Sequence, residues 1–75
     1  MMALEKMKGF ARTVALKDRR SGNALSRSEF ENALNAYASI DALTNGEKPL
    51  PVPPLFLQAA LAAYRAVRWR YRRAA

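Results

Sequence analysis

Seventy-five residues, with thirteen Lys/Arg against six Asp/Glu, give a net charge of +7 and a pI near 10.6. The chain has no Cys and no His, which excludes disulfides, thiolate chemistry and the commonest general base and transition-metal ligand. Sixteen Leu, Ile, Val and Phe beside fifteen Ala build one thin core at most, so a single domain leaning on a bound partner or a second copy is expected.

The first element is expected over about residues 2–20. Leu4, Met7, Ala11 and Val14 follow three-four spacing, with Phe10 alongside. Gly9 costs about 1 kcal/mol there relative to Ala. Phe10, Arg12, Val14 and Leu16 also alternate as in a strand, but no second strand is available to pair with it. Lys17, Arg19 and Arg20 suit a helix C-terminus, and Gly22 suits a left-handed cap. The opening MMALEKMKGF interleaves charges with too few apolar residues for a signal-peptide core.

A second helix is expected over about 27–44. Ser26 stands three residues before Glu29 as a capping box, and Leu25 and Phe30 form the matching staple. Ser28 and Glu31 offer a second box without that staple. The apolar stripe reads Phe30, Ala33, Leu34, Tyr37 and Ile40, and Asn45-Gly46 ends it.

Residues 45–54 read as a connector. Four prolines in six residues, from Pro49 to Pro54, impose an extended, polyproline-like path. Such a stretch serves either as a stiff strap across a helix pair or as a PxxP ligand. The strap reading is preferred, with Leu50 and Val52 as its anchors.

The third helix is expected over about 55–73. Pro53 and Pro54 suit its first turn and a run of alanines follows. Phe56, Leu57, Ala60, Ala63, Tyr64, Val67 and Tyr71 share one arc of the helical wheel. Arg65, Arg68, Arg72 and Arg73 fall on the other side with Trp69 among them, while Arg70 lands nearer the apolar arc. The fold class expected is therefore all-α: a helical hairpin, a proline strap and a long C-terminal helix packed back on the pair. The run from Pro49 to Tyr64 is interrupted by prolines and falls short of the roughly 20 residues that span a bilayer. A cytoplasmic location is expected, consistent with the lack of Cys.

Charge is uneven along the chain. Residues 1–28 and 55–75 each carry a net +5, and residues 29–54 carry −3. The acidic middle neutralises part of its neighbours and leaves most of the positive charge unmatched.

Catalysis is not expected. Glu29 and Glu31 are explained by capping, the three glycines are isolated, and no serine has a histidine to activate it. No metal-ligand spacing and no cofactor motif is present. A non-catalytic interaction protein remains, a small regulator or assembly subunit. Its expected contact residues are Arg65, Arg68, Trp69, Arg72 and Arg73, because Trp, Tyr and Arg dominate interface hot spots. An acidic protein partner or a second copy is the leading expectation, with alanines at 59, 60 and 63 inviting a close helix. Nucleic acid on the same basic helix is the alternative, since Arg68-Trp69-Arg70-Tyr71-Arg72-Arg73 interleaves cations and aromatics. A helix-turn-helix is disfavoured because the second helix carries Glu29, Glu31 and Asp41, which phosphates repel. Peripheral binding to anionic membranes comes third. Trp69 has three readings: a stacking platform for Arg65 or Arg73 four residues away, a core residue covered by the first helix, or the apolar centre of a cationic contact surface.

Overall fold

The computed structural model describes residues 2–69. It contains three helices, α1 (Leu4–Ser21), α2 (Arg27–Thr44) and α3 (Pro54–Arg68), and no strand among the described residues. The alternating stretch Phe10 to Leu16 lies inside α1.

Three of the boundaries follow from local rules. α1 stops at Gly22, whose φ of 77° lets its amide bond back to the Asp18 carbonyl. α2 begins with the Ser26 box. Glu29 N–H donates to Ser26 Oγ at 3.1 Å, and Ser26 N–H donates to Glu29 Oε1 at 2.9 Å. That second bond holds the Glu29 carboxylate below its ordinary pKa of 4.5. α3 starts with Pro54 inside its first turn, where a missing amide costs nothing. It closes at Arg68, with Trp69 as C-cap at φ −109° and ψ 14°. The continuation expected to residue 73 falls on residues 70–73, outside the described range.

The helices run up, down and up. Lys6 on α1 pairs with Asp41 on α2, and Phe10 stacks on Tyr37 with ring centres 4.3 Å apart. α1 and α2 are therefore antiparallel. The Val52 amide donates to Asn35 Oδ1 at 2.8 Å, and Phe30 meets Tyr64 at 5.2 Å. α3 is thus antiparallel to α2 and parallel to α1. The most intimate pair is α1 with α3 rather than the consecutive α1 and α2. Small buried residues explain this: Ala11 and Ala15 on α1 and Ala60 on α3 let the two backbones approach closely.

The core is Met2, Met7, Ala11, Ala15, Phe30, Leu34, Ala38, Leu57, Ala60, Leu61 and Tyr64. Three expectations need correction. Ile40, expected in the stripe of α2, is 65% exposed, while Ala38 and Ala42 are buried. The strap turns back along α2, and a groove of about 240 Å³ is lined by Ala38, Ala42, Leu50 and Met2. With this second wall on the Ala38–Ala42 side, the inward face rotates away from Ile40. Leu50, expected as a strap anchor, is 60% exposed, whereas Val52 packs against the core. In a path of about three residues per turn, positions two apart do not share a face. On α3 the inward face includes Leu61 and turns toward Arg68, so Ala63 and Val67 are only half-buried. Of the alanines expected to invite a close helix, Ala60 is wholly buried while Ala59 and Ala63 are half-buried.

Candidate functional site

The topology brings α1's C-terminus, α2's N-terminus and α3's C-terminus to one end of the bundle. Tyr64 is the post on which this end is built. It is fully buried, and its hydroxyl donates to Asp18 Oδ2 at 2.6 Å while accepting the Leu25 amide at 2.9 Å. One side chain of α3 thereby ties down the last turn of α1 and the entry to α2. Burial, and then the bond to Asp18, hold the Tyr64 hydroxyl above its ordinary pKa of 10.0.

Asp18 is only 7% exposed, a burial that the apolar patterning of α1 does not announce. One signal for it exists in the sequence. An acid in the last turn of a helix faces the negative end of the dipole, so it persists there when another contact holds it. Asp18 sits on the wheel with Met7, Ala11 and Ala15, and Tyr64 supplies that contact.

Two arginines also tie the helix ends. Arg19 Nη1 donates to the Val67 carbonyl at 3.3 Å, and Arg68 Nε donates to the Asn23 carbonyl. Both bonds engage carbonyls at or beside a helix C-terminus, where cations are favoured. The Arg68 guanidinium also lies 5.7 Å from the centre of the Trp69 ring. Trp69 leans edge-on against Tyr64, with ring centres 6.4 Å apart and planes at 83°.

The expected contact residues therefore separate. Arg65 is exposed on α3. Arg68 is half-buried and tied to the α1–α2 loop, so it is not on the solvent side of the wheel. Trp69 is half-buried at the margin of the core. Its stacking partner is the adjacent Arg68, although the Trp69 amide still donates to the Arg65 carbonyl at 3.1 Å. Arg72 and Arg73 lie outside the described residues.

The wider finding is electrostatic. Six cations gather at this end: Lys17, Arg19, Arg20, Arg27, Arg65 and Arg68. The acids there are Asp18, Glu29 and Glu31, of which Asp18 is buried under Tyr64 and Glu29 closes the capping box. At the opposite end Lys6, Lys8 and Lys48 balance Glu5, Asp41 and Glu47, and Arg12 stands midway along α1 between the two ends. Lys6 is bonded to Asp41 there, and Lys8 lies 3.9 Å from Glu5. The bundle is polar from end to end, with net positive charge at one end and balanced charge at the other.

Among the described residues no group of three or more acids, His or Cys could hold a metal ion, and no helix is long and apolar enough to cross a membrane. No protein-family model, no curated protein and no solved structure matches the chain.

Proposed function

We propose that this chain is a non-catalytic binding protein that receives an acidic macromolecule on the basic end of its bundle. The observation that carries the reading is the segregation of charge between the two ends. Lys17, Arg20, Arg27 and Arg65 are exposed on three different helices that Tyr64, Arg19 and Arg68 hold in fixed relation. A rigid, multi-point cationic surface steers and orients an anionic partner. Of the residues expected from the sequence, Arg65 belongs to this surface and Arg68 and Trp69 lie half-buried at its margin, and the surface also takes in α1 and α2.

The test compares two double variants of equal charge change. Arg20→Gln/Arg65→Gln alters the basic end, and Lys8→Gln/Lys48→Gln alters the balanced end. Binding to two acidic probes, a poly-glutamate peptide and a DNA duplex, is followed by fluorescence anisotropy at low salt. The first variant is expected to weaken whichever probe the chain binds, while the second leaves it nearly unchanged. Equal losses from both would mean that only total charge matters, and would refute the reading.

Self-association is a second reading, and one observation favours it. Ile40 and Leu43 stand on one face of α2, 65% and 64% exposed, at the end where the charges balance. A second copy docks there without the repulsion it meets at the basic end. Ile40→Lys is expected to convert an associating chain to monomer in sedimentation equilibrium. A wild-type chain that stays monomeric at millimolar concentration rules this reading out.

A further inference from the structure

Resting on the reading just given, we infer that the acidic macromolecule is a nucleic acid, bound through its phosphate backbone as a duplex and without base stacking. Three observations narrow the partner.

The first is the choice of cation. At the basic end five of the six are arginine, Lys17 being the exception. At the balanced end all three are lysine. Net charge alone does not require this sorting. Guanidinium offers a planar fork that grips an oxyanion with paired hydrogen bonds, whereas ammonium acts as a point charge. The end built from guanidinium is suited to repeated oxyanion contacts.

The second is the placement of apolar surface. Ile40, Leu43, Leu50 and Leu55 are the most exposed large apolar side chains, and all lie away from the basic end. Protein hot spots have a desolvated apolar centre ringed by polar groups. Interfacial membrane helices carry apolar residues that enter the lipid beside their cations. Leu16, 41% exposed, is the most open large apolar side chain at this end, where Leu25, Val67 and Trp69 are half-buried. No large apolar side chain described at this end is more than 41% exposed, which matches a phosphate-dense partner better than a protein patch or a bilayer.

The third is the state of Trp69. Single-strand binders stack bases on open aromatic faces. The Trp69 ring meets Tyr64 edge-on and carries Arg68 over it, which leaves the described part of this end without such a platform. Packed helix axes lie about 8–10 Å apart, so cations at three helix ends are spaced on the scale of a duplex groove about 6–12 Å wide, while Glu29 and Glu31, exposed near Arg27, weaken the contact at α2. Sequence-independent contact with the backbone follows.

The intact chain is tested against a labelled duplex of about 20 base pairs in two unrelated sequences, a poly-glutamate peptide of similar length, and phosphatidylglycerol vesicles. Four exposed cations predict a slope of log K against log salt near −3.6, and so about 150-fold weaker binding between about 50 and about 200 mM salt. The two duplex sequences are expected to bind within about threefold of each other, as backbone contact alone requires. Arg20→Gln/Arg65→Gln should flatten the slope by about 2, and Lys8→Gln/Lys48→Gln should leave it unchanged. Circular dichroism confirms that both variants stay folded. Poly-glutamate bound more tightly than duplex, or vesicles bound while duplex is not, overturns the nucleic-acid inference and leaves the acidic-partner reading standing. Failure to bind any anionic probe overturns both.

Discussion

Tyr64→Phe removes one oxygen atom and tests how the basic end is held. The ring stays, so its contacts with Phe30 and Trp69 stay. Lost are the 2.6 Å bond to Asp18 and the 2.9 Å bond from the Leu25 amide. A hydrogen bond to a charged group contributes about 1.5–3 kcal/mol, and a buried group left without a partner costs about 1–3 kcal/mol. Asp18 keeps only 7% of its surface, so water restores little. The expected loss is therefore about 2–3 kcal/mol. A chain this size has roughly 4–11 kcal/mol of total stability. Its unfolding entropy near the midpoint is about 0.16 kcal/mol/K, so the melting temperature should fall by roughly 12–19 °C. The assay is thermal unfolding followed by far-ultraviolet circular dichroism on a cycle of wild type, Tyr64→Phe, Asp18→Ala and the double variant. The two single losses should exceed the double loss by about 1–2 kcal/mol, because each variant removes the same bond. A fall of less than about 3 °C, or an additive cycle, would show that the Tyr64–Asp18 bond contributes nothing net.

The remaining predictions concern the caps, the core and pH. Ser26→Ala should cost about 0.5–2 kcal/mol in denaturant unfolding, and Ser28→Ala clearly less, because only Ser26 accepts the Glu29 amide. Leu34→Ala should cost about 2–5 kcal/mol, while Ile40→Ala should stay within about 0.5 kcal/mol; similar losses would mean that the inward face of α2 has been misplaced. Glu29's folded pKa is lowered, so its contribution is present above pH 4.5 and lost as pH falls through the folded value. Tyr64's folded pKa is raised, so its contribution is full below pH 10.0 and lost as pH rises through the folded value. Stability curves of Glu29→Ala and Tyr64→Phe should show shallower acid and alkaline limbs respectively, and unchanged limbs would show that these groups contribute nothing there.

Much of the fold is legible in the sequence because it is dictated locally. The Ser26–Glu29 box, the Gly22 cap, Asn45-Gly46 and the paired prolines at 53 and 54 act within a few residues of themselves. Helix boundaries follow from them, and so does the class of the fold. The absence of His and Cys limits the available chemistry through composition alone. The candidate site is legible only in part. Arginine content points to the C-terminal helix, but a wheel drawn for one helix cannot include Lys17, Arg20 and Arg27, which join it only when three helix ends meet.

What the sequence determined, then, is the elements, their ends and the sign of the charge. The tertiary structure alone decided which faces turn inward and where charge accumulates. Ile40 faces out because the strap walls in Ala38 and Ala42, and no periodicity within α2 records where a distant connector will lie. Arg68 turns in because the Asn23 carbonyl stands beside it across the bundle. Asp18 is buried because a tyrosine forty-six residues away reaches it. The acidic middle segment is also divided by the fold, with Asp41 and Glu47 carried to the lysine end and Glu29 and Glu31 left at the arginine end. An α-helix as long as α2 separates its two ends by about 27 Å, beyond a Debye length of about 8 Å, so charges adjacent in sequence become electrically distinct in space.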